Sequence, residues 1–316
     1  MTVVMGRAAR EARGSGSPRG GSGRARKQPL LTTLTPYLFL LVPVTLLLVF
    51  VYLPSIDLVW YGFSDYAGLG TPKWVGLANY QEVYQRPELF RAFWVSLYYM
   101  VGSVVQMVLA LYLATVLSFS VRFRNLWKGI IFFPFLLNTV AIAMIFQFAF
   151  QENGTVDAVL SLVGLGSVKQ QWLGNTSIVN WSMVTVSIWR YLGLNFVIFL
   201  GAIQSIPGAL YEAADLDGAS RWQQFRYIIF PGIKPLVALS FILSIAGSLA
   251  AFDTPYIILK GANGTQTFVI EIVQLAFVES HKVGLASALA IILLVITLIV
   301  VVGLRRLLPD EKVNLT

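Results

Sequence analysis

Few residues in this chain could do chemistry. There is no cysteine and a single histidine, His281. That removes thiolate catalysis, disulfides and His-rich metal sites. No G-x-x-x-x-G-K-[ST] phosphate loop occurs, and the Gly-rich start of the chain lacks the strand such a loop would follow. No nucleophile–base pair or metal-ligand cluster is visible, so no reaction is expected of this chain. Two features remain. Arg190 and Asp253 interrupt otherwise uncharged apolar runs, and residues 212–231 form a mixed-charge segment with interleaved aromatics, E-A-A-D-L-D-G-A-S-R-W-Q-Q-F-R-Y-I-I-F-P. An ionisable group inside an apolar run is costly and marks a solute path or a helix-registering pair. An apolar patch with a polar rim suits protein docking.

The elements that must hold these residues follow from composition. Of 316 residues, 57% are hydrophobic and 12% charged, which is not the balance of a soluble domain. Residues 28–56, 92–121, 129–151 and 283–304 carry no charge, and 178–203 and 235–259 are broken only by Arg190 and Asp253. Each can supply the roughly 20 apolar residues that a helix needs to cross a bilayer. An all-α membrane protein with six transmembrane helices is expected, at about 36–60, 93–118, 129–150, 178–203, 235–258 and 284–304. The runs are too long, and too little alternating, for a membrane barrel.

Lys and Arg give the orientation. Sixteen lie in the two terminal segments and in the connections after the second and fourth spans, against six in the other connections. Both termini and the 204–235 loop are therefore expected in the cytoplasm. The net charge of +8 reflects this topology and does not point to nucleic acid. Three regions are expected: a disordered basic cytoplasmic tail at 1–30, a transmembrane domain at 31–308, and a short cytoplasmic tail at 309–316. The basic tail can also touch anionic membrane lipid. Trp60, Tyr61, Trp127 and Trp181 fall near span ends, as interfacial aromatics do. No internal repeat supports an inverted-repeat carrier.

The 204–235 loop reads as two short helices with a sharp bend. Pro207 can open a helix over 207–217, placing Leu210, Ala213, Ala214 and Asp217 near one side. Gly218 ends it by tolerating the left-handed conformation. Ser220 with Gln223 fits a capping box that starts a second helix, carrying Trp222, Phe225, Ile228 and Ile229. Pro231 is expected to stop that helix and Pro235 to open the next span. An amphipathic helix lying on lipid is the competing reading, but Glu212, Asp215 and Asp217 would then face anionic headgroups.

Glu212-Ala213-Ala214, Gly218 and Ile228-x-Phe230-Pro231 resemble the coupling loop of permeases in ATP-binding-cassette importers, with Phe230 in place of a leucine. Pro36-Tyr37-Leu38-Phe39-Leu40-Leu41-Val42-Pro43, Phe63-Ser64-Asp65-Tyr66, Trp74-Val75-Gly76-Leu77-Ala78-Asn79-Tyr80, Trp189-Arg190, Ile206-Pro207, Phe252-Asp253 and Ala286-Ser287-Ala288 are similar to the carbohydrate branch, of maltose and glycerol-3-phosphate type. The resemblance runs from about residue 30 onward and implies a type I importer permease core. One departure is Leu259-Lys260-Gly261-Ala262-Asn263-Gly264, where the first permease of such pairs often has Leu-Thr-x-Gly-Gly-Pro.

The resemblance further implies partners and sites. The partners are a dimeric ATPase that holds the ATP and Mg, a second homologous permease, and an extracytoplasmic solute-binding protein. No cofactor or metal is expected in this chain itself, which would work in the cytoplasmic (inner) membrane of a prokaryote. Coupling to the ATPase would fall to Glu212, Ala213, Ala214, Asp217, Gly218, Trp222, Phe225, Ile228 and Pro231. The solute, a sugar, oligosaccharide or polyol, would be held by Arg190, Tyr191, Asn195, Ser248, Phe252 and Asp253. Arg190 would also suit an anionic solute such as a glycerol phosphate. Alternatively Arg190 and Asp253 pair with each other, or with the second permease, to hold helices in register. Asn138 and Gln147 are expected to make interhelical hydrogen bonds, and His281 to be solvated. Glu152, Asp157 and Glu279 are expected to face outward, where a binding protein could meet them. An ion-coupled carrier is the remaining alternative, but it would need more buried acids than Asp253.

Overall fold

The computed structural model describes residues 30–119, 121–278 and 281–307. The two tails, Ser120, Glu279 and Ser280 lie outside the described residues, and with them the expectations of a disordered tail and an outward-facing Glu279. The chain divides into two compact units, Met1–Pro54 and Ser55–Thr316. In the first, helix α1 (Leu30–Leu47) passes into a π turn at Leu48–Tyr52. Helix α2 (Leu53–Gly62) follows.

In the second unit, strands β1 (Ser64–Asp65) and β2 (Lys73–Trp74) pair antiparallel, Ser64 opposite Trp74. Helix α3 (Ala78–Gln85) then contributes Asn79, whose buried side-chain amide donates to the Gly62 and Ser64 carbonyls at 3.0 and 2.9 Å. One side chain thus satisfies two buried acceptors and fixes the turn after α2. Helix α4 (Pro87–Ser118) starts on a proline at its first position, where the missing N–H costs nothing.

Helices α5 (Arg124–Leu136) and α6 (Thr139–Ala149) are bent by 97°. The expected single helix at 129–150 is therefore broken. Pro134 lies in the last turn of α5, and Asn138 takes an extended conformation (φ −61, ψ 138) to cap α6, accepting from Val140 N at 2.8 Å. Asn138 is thus a cap and not the expected interhelical donor. Gln147 does reach across, to the Ile258 carbonyl at 3.4 Å.

Helix α7 (Thr155–Leu162) leads to α8 (Val179–Gln204). The helical hairpin α9 (Gly208–Leu216) and α10 (Arg221–Gln224) is followed by a π turn at Phe225–Ile229 and α11 (Phe230–Leu249). Helices α12 (Asp253–Leu259), α13 (Phe268–Val273) and α14 (Val283–Leu307) follow, the last ending the described residues. Pro231 does not stop the second hairpin helix, and Pro235 does not open a new one. The ladder steps to i→i−5 bonding first, with Phe230 N donating to the Phe225 carbonyl, so Pro231 arrives after a widened turn. The π turn before Pro54 has the same form.

Among the described residues, five helical runs are long and apolar enough to cross a membrane: Tyr37–Gly62, Pro87–Ser118, Val179–Gln204, Arg221–Leu259 and Val283–Leu307. Counting the bent α5–α6 pair as one span gives the expected six. The core forms where α4, α8 and α11 pack together. Small residues set the spacing: a Cβ at Gly193 of α8 would lie 2.5 Å from the Ile131 carbonyl oxygen of α5, so only glycine lets these helices meet there.

Candidate functional site

The hairpin is built by local chemistry. Pro207 is the N-cap of α9 (φ −57, ψ 131), one position earlier than expected, and its carbonyl accepts from Leu210 N at 3.1 Å. Gly218 is left-handed (φ +70). Its N–H donates to Asp215 O at 3.1 Å and that of Ala219 to Ala214 O at 2.9 Å, a Schellman ending. The capping box then forms in both directions: Ser220 N donates to Gln223 Oε1 at 2.7 Å, and Gln223 N to Ser220 Oγ at 3.3 Å.

Below the bend the hairpin is seated on a core cluster that includes Ala110, Ala114, Phe196, Phe199, Ile203 and Ile229, with Tyr211 and Phe225 packed against it. Burial raises the pKa of the Tyr211 phenol. The Arg221 guanidinium lies 4.9 Å from the centre of the Phe119 ring, joining α10 to the end of α4.

Of the expected coupling residues, Glu212, Ala213, Asp217, Gly218, Trp222 and Pro231 are exposed, while Ala214, Phe225 and Ile228 are half-buried. Trp222 is 65% exposed and stacks on Phe225 with ring centres 5.3 Å apart. Leu216 is 90% and Tyr227 70% exposed. The hairpin therefore presents large apolar groups beside carboxylates, a surface that calls for a partner.

A cavity of 380 Å³ lies between α4, α8, α11 and the 250–255 segment. Tyr191, Asn195, Ser248, Phe252 and Asp253 all line it. Arg190 does not. Its side chain is 14% exposed and pairs with Asp253, Nη1 to Oδ2 at 3.6 Å. The same nitrogen donates to the Tyr191 hydroxyl at 3.2 Å, and the guanidinium sits 4.9 Å from the centre of that ring.

Sequence reasoning missed the α4 wall, where Tyr99, Ser103 and Gln106 also line the cavity. The Tyr99 hydroxyl and Gln106 Nε2 are buried without a hydrogen-bond partner. Their i, i+4, i+7 spacing, a polar stripe in an otherwise apolar span, was the available signal. Ser248 Oγ donates to Ile245 O at 2.7 Å, which leaves its lone pairs free for the cavity.

Asp157 is buried and not presented to a binding protein. It is 4% exposed and accepts from Asn153 N and Trp172 Nε1, both at 2.9 Å. Glu152 and His281 are exposed. In place of a Gly-Gly-Pro turn, Lys260, Gly261, Asn263 and Gly264 are all left-handed. Asn180 braces this turn through the Gly264 carbonyl (3.1 Å), and Asn263 does so through that of Leu173 (2.9 Å).

Residues 106–312 match the family described as binding-protein-dependent transport system inner membrane component. The chain belongs to this family. As such an inner membrane component it is a permease subunit, a part of a transport system. It is 33% identical to the probable ABC transporter permease protein YurN of Bacillus subtilis, over 83% of this chain and 92% of that protein. It is 32% identical to the arabinooligosaccharides transport system permease protein AraP of the same organism, over 84% and 85%. A crystal structure of a bacterial ABC transporter involved in alginate import contains a chain that superposes with a TM-score of 0.75 at 22% identity. The match covers 90% of this permease and all of that chain, and it supports the fold.

Proposed function

We propose that this permease moves a carbohydrate, whether sugar, oligosaccharide or polyol, through the 380 Å³ cavity, driven by a separate ATPase. The observation that carries the reading is the convergence of hydroxyl, amide, carboxylate and aromatic groups on that cavity. Aromatic rings stack on sugar faces, and short polar groups bond hydroxyls. The names of the relatives agree: besides the arabinooligosaccharide permease, a multiple sugar-binding transport system permease of Streptococcus mutans is 29% identical.

The hairpin is the coupling device. Glu212, Ala213, Ala214, Asp217, Gly218, Trp222, Phe225, Ile228 and Pro231 meet a groove on the ATPase, which holds the ATP and Mg. Two such ATPase chains, a second permease and an extracytoplasmic binding protein complete the importer, and both termini face the cytoplasm. The binding protein delivers solute from outside, and closure of the ATPase dimer rocks the spans between outward- and inward-facing states. The hairpin and the cavity share α8 and the α10–α11 run, so a push on the hairpin has a rigid path to the cavity.

The test is purification of the tagged permease from its native membrane. An ATPase, a homologous permease and a solute-binding protein should accompany it. Arrival of the chain alone, under conditions that keep a known importer intact, would favour an ion-coupled carrier. Glu212→Lys and Gly218→Pro should abolish uptake while leaving membrane insertion intact, and normal uptake by either would remove the coupling role.

A further inference from the structure

One ion pair sets the charge that this chain's part of the cavity offers to a solute. Asp253 is the only residue among the described lining residues that carries a formal charge. Arg190, the cation paired with it, stands outside that lining, with Asp253 at 3.6 Å and the Tyr191 hydroxyl at 3.2 Å. Its guanidinium lies against the Tyr191 ring, so its face is covered as well.

From this arrangement we infer that the solute is a neutral polyhydroxylated molecule, not a phosphorylated or uronic sugar. The inference rests on the carbohydrate reading and narrows it. A phosphate or carboxylate solute is favoured by a cation in the lining, whose charge offsets the desolvation of the anion, and is disfavoured by a like charge there. Here an entering anion meets the Asp253 carboxylate, while Arg190 stands outside the lining. A sugar hydroxyl meets the opposite situation: an ionised acceptor already in the cavity wall, where O–H···O⁻ bonds are short and strong.

The other polar groups suit the same class. Gln106 Nε2 is a buried donor without a partner, and the Tyr99 hydroxyl can donate or accept. Donors and acceptors from different elements around the cavity match a ring of hydroxyls, each of which does both. Arg190 acts as a positioning residue. It fixes the direction of the carboxylate and the Tyr191 ring without touching the solute.

The experiment uses the complete importer with its binding protein in proteoliposomes, with ATP inside. Uptake is compared for short neutral oligosaccharides of glucose, arabinose and galactose, and for oligogalacturonides and hexose phosphates. Only the neutral set should enter. Asp253→Asn should raise KM about tenfold, the effect of losing one charge-assisted bond, and Arg190→Gln should raise it less. The double exchange Arg190→Asp with Asp253→Arg keeps the pair but turns the cation into the cavity, so it should not restore uptake.

Recovery of wild-type KM by the exchange, at equal amounts of assembled complex, would show a helix clamp indifferent to direction and overturn the inference. Uptake confined to the uronides or phosphates would overturn it while leaving the carbohydrate reading intact. Uptake of neither set would overturn the carbohydrate reading, and this inference with it. The comparison of solutes on the unaltered importer needs no variant to fold.

Discussion

Gln224 donates from Nε2 to the Asp215 carboxylate at 2.6 Å, and this bond ties the two arms of the hairpin together. Gln224 is 5% exposed, two residues after the exposed Trp222, and it also reaches the Ala219 carbonyl at 3.3 Å. The angle between α9 and α10 therefore depends on a buried amide, and the positions of Glu212 and Trp222 depend on that angle. Gln224→Ala should cost about 1.5–3 kcal/mol of local order, the usual loss for a hydrogen bond to a charged group. Membrane insertion should be unchanged, uptake reduced, and proteolysis within 212–231 accelerated.

Gly218 has φ +70 and open space where a Cβ would project. Substitution there acts through backbone conformation. Gly218→Ala should cost about 1–2 kcal/mol, and Gly218→Asn less, because asparagine visits the left-handed region more readily. The order of transport-coupled ATP hydrolysis should be glycine, asparagine, alanine, then valine. Equal activity across the series would mean that the bend is not needed for coupling.

Two glycines of α8 separate packing from helix propensity. A Cβ at Gly193 would lie 2.5 Å from Ile131 O and 2.9 Å from Phe132 Cα, whereas one at Gly201 meets nothing within 4 Å. Gly193→Ala should force α5 away, with an overpacking cost of about 1–3 kcal/mol. Gly201→Ala should be neutral or stabilising, by up to about 1 kcal/mol. Thermal unfolding of the detergent-purified permease, read by tryptophan fluorescence, should give opposite shifts.

Tyr99 and Tyr211 each bury a hydroxyl without a partner. Tyr99 lines the cavity, where a solute can complete the bond. Tyr211 packs on the cluster beneath the hairpin, where nothing comparable arrives. Tyr99→Phe should raise KM for uptake several-fold. Tyr211→Phe should leave KM alone and hold or raise stability, since it removes an unsatisfied polar group.

Asp157 holds the segment around α7 by accepting from Asn153 N and Trp172 Nε1. Asp157→Ala leaves both donors without this acceptor, at about 1–3 kcal/mol for each one that stays buried and unsatisfied. Faster proteolysis between 150 and 175, with uptake KM unchanged, is the expected result. A raised requirement for binding protein, with no change in proteolysis, would instead make Asp157 a docking residue.

The sequence by itself determined the spans, because a bilayer demands long uncharged runs. It also determined the hairpin's ends, because Gly218, Ser220 and Gln223 act on backbone groups within four residues of themselves. The family resemblance it carries pointed to Arg190, Tyr191, Asn195, Ser248, Phe252 and Asp253, and the fold gathers all but Arg190 on one cavity. Tertiary structure decided what depends on distant neighbours. The 97° break at Asn138 arises where a cap replaces the continuing helix that hydropathy alone suggests. Pro231 is carried inside a helix by a π turn, a change of hydrogen-bond step that residue type does not announce. Asp157 and Gln224 are polar residues near chain turns, and only packing shows them buried. Whether Arg190 faced a solute or an acid 63 positions along the chain was equally open in the sequence. Arg190 Nη1 lies 3.6 Å from Asp253 Oδ2 at the start of α12, and only the fold shows that pairing, because an ion pair is a fact about two helices and neither helix encodes it alone.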